Sequence, residues 1–152
     1  MYKEIDSLCS DFITGRKATT FVLSYSFVRR VGSHAMKKVY YLSSCSTCAR
    51  ILKETNLEKK GFQLQDIKTE KITPAQIDEM KALAGSYEAL FSRVALKYRA
   101  LGLNEMKLTE KDYRNYILEE YTFLKRPVVI SENKIYIGNS KANVELMKKE
   151  IG

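Results

Sequence analysis

Two cysteines three residues apart, in Cys45-Ser-Thr-Cys48, are the side chains of this chain best suited to chemistry. They follow an apolar run, Val39-Tyr-Tyr-Leu42, and precede a helical pattern, Ala49-Arg-Ile-Leu-Lys-Glu54. A CxxC at a strand-to-helix turn is the sequence form of a thiol–disulfide site. The turn matters because the thiolate is the reactive species. A helix N-terminus offers unpaired backbone N–H groups and a partial positive charge, both of which favour an anion. Cys45 is therefore expected to be the more acidic and more exposed thiol, the nucleophile. Cys48, one turn into the helix, is placed to resolve whatever Cys45 attacks.

Two other residues could act on the same chemistry. Arg126-Pro127 stands at the start of an apolar run, Val128-Val-Ile130. Beside a redox thiol such an X-Pro bond could be cis and hold a backbone edge close to the sulfur; an ordinary strand-entry proline fits the same pattern. Arg93 lies in a helical region, and a guanidinium there could hold a tetrahedral oxyanion in bidentate fashion and depress a thiol pKa. A plain surface charge fits that residue too.

The composition bounds the class. The chain has 152 residues, 45% hydrophobic and 29% charged, which suits one ordinary globular domain. The net charge of +8 admits an anionic substrate, an acidic protein partner or nucleic acid. No RRM, zinc-finger or P-loop pattern is present, so no direct nucleic-acid contact is expected. The three cysteines, Cys9, Cys45 and Cys48, are too few for a disulfide scaffold, which points to a reducing cytoplasm. A structural zinc site normally takes four ligands. With His34 the sole histidine and no second CxxC, no metal is expected.

These residues need a scaffold, and the pattern from residue 37 onward supplies one. A strand over 38–43 leads into a helix over 46–59, with Cys48, Ile51 and Leu52 inward and Gly61 as its stop. Phe62-Gln-Leu-Gln-Asp66 alternates as a strand. Thr73-Pro-Ala-Gln76 is a capping box with Pro74 at the first helical position, and Gly85 closes that helix. Ser86 caps a further helix running through Ala89, Leu90, Phe91 and Val94 towards Gly102. Thr109-Glu-Lys-Asp112 opens another, burying Tyr113, Tyr116 and Ile117. Strands at 126–130 and 134–137 form a hairpin around Ser131-Glu-Asn133, and Ser140 begins a last helix with Val144, Met147 and Ile151 on one face. The order is βαβ, a helical block, then ββα: an α/β fold with a four-stranded mixed sheet.

Residues 1–36 read differently. Phe21-Val-Leu-Ser-Tyr-Ser-Phe-Val28 is too short to span a bilayer. No small-residue cleavage site follows it. Gly32-Ser-His-Ala-Met36 has the look of a cloning scar. The segment reads as an extra N-terminal piece, either a mis-assigned start or a leader added in cloning. A genuine additional helix or strand is the alternative, and the functional domain is 37–152.

The stretches Val39-Tyr-Tyr-Leu-Ser-Ser-Cys-Ser-Thr-Cys-Ala-Arg50, Leu90-Phe-Ser-Arg93, Tyr98-Arg-Ala-Leu-Gly-Leu103 and Leu124-Lys-Arg-Pro-Val-Val-Ile130 resemble, in order, those of the arsenate reductase (ArsC) and Spx family. The resemblance implies a thioredoxin-like fold carrying a helical insertion. It implies Cys45 as nucleophile, and Arg93 and Arg126 as two of the arginines that hold the oxyanion. It also implies a small oxyanion or thiol substrate, glutathione with glutaredoxin or thioredoxin as reductant, and no bound cofactor.

The chain departs from the reductase pattern in several places. A third arginine after the last strand is replaced by Ile137-Gly-Asn139. The usual histidine before the cysteine is Tyr41, and the usual arginine after it is Ala49, with Arg50 one further on. Cys48 and Tyr136-Ile-Gly138 look more like the Spx branch, in which the CxxC is a redox switch and the protein binds the RNA polymerase α subunit. Gly85 lies where that branch uses a glycine in the polymerase contact, but the local pattern already requires a helix C-cap there. An oxidoreductase similar to the glutathione- and glutaredoxin-linked arsenate reductases is the leading expectation, and an Spx-like redox-sensing regulator is the alternative.

Overall fold

The structure, a computed structural model, describes residues 36–151. The expectation for residues 1–36 therefore falls outside the described residues except at Met36, and so do Cys9 and His34. Four strands form one sheet in the order β2-β1-β3-β4, with β1 Lys37–Tyr41, β2 Gln63–Asp66, β3 Val128–Ser131 and β4 Lys134–Ile137. The helices are α1 Ser46–Thr55, α2 Pro74–Ala84, α3 Tyr87–Leu90, α4 Leu96–Ala100, α5 Glu110–Glu119 and α6 Lys141–Ile151. A 3₁₀ turn spans Tyr121–Phe123. The mixed α/β sheet of the sequence reading is the one observed. β1 runs parallel to β2 and antiparallel to β3, and β3 and β4 make the hairpin.

The register sorts side chains onto two faces. Val39 lies opposite Leu64 and Val129, and Val129 opposite Tyr136. These residues pack with Ile51 and Met147, from α1 and α6, into the smaller of two apolar clusters. On the other face Tyr40 and Val128 join Ile77, Met80, Leu90, Phe91, Tyr113 and Phe123 under the helical block. A strand buried on both faces has no polar side to alternate, which is why Val128, Val129 and Ile130 are all fully buried.

The helical block is fixed by caps and by one charged tie. Thr73 and Gln76 cap α2 reciprocally, and Thr109 and Asp112 do the same for α5. The Gln76 amide also exchanges hydrogen bonds with the buried Gln65 of β2, at 3.0 and 3.3 Å. Arg114 of α5 grips Asp78 of α2 with two hydrogen bonds, 2.7 and 3.0 Å, and the Tyr87 hydroxyl donates to the same carboxylate at 2.7 Å.

Three expected boundaries are corrected. First, α1 stops at Asn56, which takes the left-handed conformation (φ 50°), and not at Gly61. Beyond it the chain turns so that Leu57 is buried and its carbonyl accepts from the Phe62 N–H at 3.2 Å.

Second, the single helix expected from Ser86 to Gly102 is two short helices. Phe91 leaves the helical path to form a bridge with Leu124, and the Ser92 N–H donates to the Phe123 carbonyl at 2.7 Å. Arg93 consequently sits in a turn and not on a helix, and Val94 is 92% exposed where helical periodicity would have turned it inward. Third, β3 begins at Val128, so Arg126 and Pro127 form the approach to the strand.

Candidate functional site

Cys45 is the N-cap of α1, with extended backbone angles (φ −96°, ψ 107°). Its own N–H donates to the Leu42 carbonyl at 3.0 Å, closing the turn out of β1, and its carbonyl accepts from Ala49 at 3.1 Å, starting the helix. Both bonds orient the residue through the backbone and neither uses its side chain. The far side of the turn is held from β2. The Asp66 carboxylate accepts from Ser43, which with the Lys68 N–H keeps it below the usual carboxylate range.

The two thiols have unlike surroundings. Cys45 is partly exposed, and Cys48 is fully buried. Burial alone would raise the Cys45 pKa. The N–H and thiol of Cys48, the N–H of Thr47 and the charge of Arg126 together outweigh it and hold Cys45 below the ordinary thiol value. This is the helix N-terminus acting on an anion. Cys48 is pushed the other way, to about 11, first by burial and then by the neighbouring Cys45, against an opposing pull from the Leu42 backbone and Arg126.

Cys45 opens into a cleft of about 820 Å³ whose other walls carry Arg93, Lys125, Arg126, Gly138 and Asn139. The sequence-designated residues Cys45, Arg93 and Arg126 thus line one cavity, with Cys48 behind the first of them. The Arg126–Pro127 peptide bond is cis. The Pro127 carbonyl accepts from the Gly138 N–H at 2.8 Å, which draws the strand-end loop against it. That loop is where a third arginine would stand, and its residues facing the cleft are Gly138, Asn139 and Ser140, none charged.

Two cleft residues escaped the sequence reading. Lys125 precedes the arginine it was read past; its ammonium group donates to the Ala89 carbonyl at 2.8 Å, tying the β3 approach to α3. Glu88 forms an ion pair with Arg93, whose guanidinium also donates to the Tyr113 hydroxyl at 3.3 Å. A carboxylate already occupies the guanidinium expected to take an oxyanion. Arg126 has no such partner among the described residues. No residue type marks either contact in sequence, because Glu88 looks like any exposed helical glutamate.

Among the described residues no group of three His, Cys, Asp or Glu side chains is gathered as metal ligands. None of the described helices is long and apolar enough to cross a membrane.

Comparison with known proteins adds the following. The model of the ArsC family matches residues 40–147, a span that includes both cysteines of the CxxC, Arg93 and Arg126. A possible arsenate reductase from Streptococcus mutans UA159 is 28% identical, with a TM-score of 0.61 over 74% of this chain and 98% of that one. An arsenate reductase from Vibrio cholerae is 17% identical, with a TM-score of 0.62 over the same shares. No curated protein matches the chain in sequence.

Proposed function

The chain belongs to the ArsC family and has its thioredoxin-like fold, and from that premise we propose that it is a thiol-dependent oxidoreductase with Cys45 as nucleophile. The observation that carries this reading is the partly exposed Cys45 thiol at the head of α1, its pKa lowered, facing a cleft lined by Arg126.

With arsenate as substrate, the Cys45 thiolate forms a bond to As(V), and one arsenate oxygen leaves as water with protons drawn from solvent. A second thiol then attacks the Cys45 sulfur. The S–S bond forms, the electron pair of the S–As bond stays with arsenic, and arsenite, As(III), departs. Two thiols have been oxidised to one disulfide. Glutaredoxin or thioredoxin restores them by passing two electrons through thiol–disulfide exchange. No histidine among the described residues could serve as a general base, so activation falls to the lowered thiol pKa.

Glutathione suits the second-thiol role better than Cys48, which is buried and hard to ionise. Arg126 is the guanidinium with no ion pair among the described residues, whereas Arg93 already shares its Nη2 with Glu88 and Tyr113 and meets an oxyanion with its charge partly neutralised. With no cation from the 137–139 loop, anion handling falls below that of a three-arginine site. A charged hydrogen bond contributes about 1.5–3 kcal/mol, so one missing contact weakens binding roughly 10- to 100-fold without abolishing it. A slow or altered reductase in the cytoplasm is the expected phenotype.

Spx-like binding to the RNA polymerase α subunit draws on the CxxC and on Gly85. Gly85 is the C-cap of α2 at φ 89°, where its N–H donates to the Lys81 carbonyl, and this fully accounts for the residue. The enzyme reading is therefore preferred.

The test is arsenate-dependent NADPH consumption coupled through glutathione reductase and glutaredoxin. Turnover by the full chain that is lost in Cys45→Ser supports the reductase. No turnover by folded protein whose Cys45 and Cys48 oxidise readily would move the function to the redox switch.

A further inference from the structure

We infer that the exposed face of residues 94–106, around α4, is the docking surface for the protein that returns electrons to Cys45, and that this partner is an acidic protein with an exposed dithiol. The inference rests on the reading of Cys45 as a redox thiol and extends it to the partner.

Large apolar side chains are concentrated on this face. Of the six that are exposed among the described residues, four fall in this segment: Val94 at 92%, Leu96 at 93%, Leu101 at 55% and Met106 at 56%. The segment is not loose. Ala95 and Leu103 are buried, and Tyr98 packs edge-on against Phe91 with ring centroids 5.9 Å apart. Held at Ala95 and Leu103, the segment leaves Val94, Leu96, Leu101 and Met106 in solvent, a local concentration of exposed apolar side chains that suits a partner surface. Val94 also lines the Cys45 cleft, which puts the start of this segment at the site itself.

Charge selects the kind of partner. Between Arg93 and Met106 the charged residues are Arg93, Lys97, Arg99 and Glu105, three cations to one carboxylate. Lys97 is paired with Glu120 and Arg93 with Glu88, but Arg99 has no ion pair among the described residues, and Lys125 and Arg126 add positive charge across the cleft. An apolar patch with a cationic rim is complementary to an acidic protein. A second copy of this chain would set like charge against like. An anionic membrane would fit the charge, yet α4 has only five residues, too short to lie as an amphipathic helix in the interface.

The chemistry sets the same geometry. In the Cys45–Cys48 disulfide the reachable sulfur is that of Cys45, because Cys48 is fully buried. A thiolate of the partner attacks the Cys45 sulfur, the Cys45–Cys48 bond breaks, and Cys48 leaves and takes a proton. The partner's second thiol then attacks its own half of the mixed disulfide and releases Cys45. Two electrons and two protons pass to this chain, and the partner is left with a disulfide. The partner's backbone must come against the cleft rim for this step, and Val94 stands there, two residues before Leu96.

The experiment uses the full chain oxidised to the Cys45–Cys48 disulfide, reduced in parallel by an acidic thioredoxin, an acidic glutaredoxin with glutathione, and dithiothreitol. Leu96→Glu/Leu101→Glu changes two exposed side chains that lie outside the cleft lining. At least one protein reductant is expected to slow by about tenfold or more in this variant, as for loss of a docking hot spot. Its rate on the unaltered chain should fall with added salt, and dithiothreitol should act equally on both. Leu96→Met/Leu101→Met should keep the unaltered rate.

Equal rates with every protein reductant would overturn the inference, as would an equal slowing with dithiothreitol or no reduction by either protein. Binding to phosphatidylglycerol vesicles that the variant loses while its protein-reductant rates hold would assign the face to a membrane instead. A Cys45 that forms neither this disulfide nor a mixed disulfide with glutathione would defeat the underlying thiol reading, a result distinct from all of these.

Discussion

The turn that carries Cys45 and the turn that carries Arg93 line the same cleft but are held in different ways. The cysteine turn leaves the central strand of the sheet. Val39 and Tyr40 before it and Cys48 and Ile51 after it are buried, and the groups that lower the thiol pKa include two backbone N–H groups of α1. The arginine turn is anchored by Phe91, whose ring stacks on Phe123 at 5.1 Å, and by the buried Ser92 and Ala95 on either side of Arg93–Val94. Arg93, Val94, Leu96 and Lys97 are exposed, and the charged ends are set by surface ion pairs, Arg93–Glu88 and Lys97–Glu120. The environment of the Cys45 thiol is thus built into the fold, whereas the cation opposite it is adjustable by salt, by an anion or by a single substitution.

The most damaging way to break the contrast is Phe91→Ala. It removes a fully buried ring that contacts Phe123, Tyr98 and Tyr113, and core truncations of this size cost about 3–5 kcal/mol. Urea unfolding should show a loss in that range; a loss near zero would mean that the arginine turn has no such anchor.

A smaller effect comes from Cys48. Its folded pKa is raised, so the neutral thiol stabilises the native state below the ordinary thiol value of about 9, and that contribution is lost as pH rises towards about 11. Stability should therefore fall between about pH 9 and 10, below the range in which the raised tyrosines Tyr40 and Tyr136 begin to matter. Cys48→Ala should flatten that part of the profile; an unchanged slope would place the proton elsewhere.

Arg126→Ala sharpens the comparison from the side of the Cys45 thiol. The pH profile of iodoacetamide alkylation at Cys45 should move upward yet stay below that of an ordinary thiol, since the N–H groups of Thr47 and Cys48 remain. No movement would remove Arg126 from the site. The mildest change is Glu88→Gln. It should leave the unfolding midpoint where it is and make arsenate protect Cys45 from alkylation at a few-fold lower concentration, because Arg93 is released.

What could be read in the sequence follows the same division. The caps at Thr73 and Thr109 and the stop at Gly85 are local signals, complete within a few residues, and the structure has all three. Cys45 at a helix head is equally local, as the strand and helix that frame it adjoin it in the chain. The break after Leu90 is not. Phe91 abandons a helix that its own neighbours favour because Leu124, thirty-three positions on, offers a backbone partner, and periodicity carries no trace of such a contact. Lys125 and Glu88 were missed for the same reason, since their roles arise from Ala89 and Arg93 being brought close in space.

The strand order has a consequence in time. β1 is central, with β2 on one side and β3 on the other, yet β3 starts sixty-two residues after β2 ends. At translation rates of about 5–20 residues per second, roughly 3–12 s separate the emergence of the two neighbours. During that interval the nascent chain holds the Cys45 turn with one edge of its strand unpaired and Arg126 not yet made. A reactive thiol and an open strand edge leave the ribosome together, and the same late segment closes the edge and supplies the guanidinium.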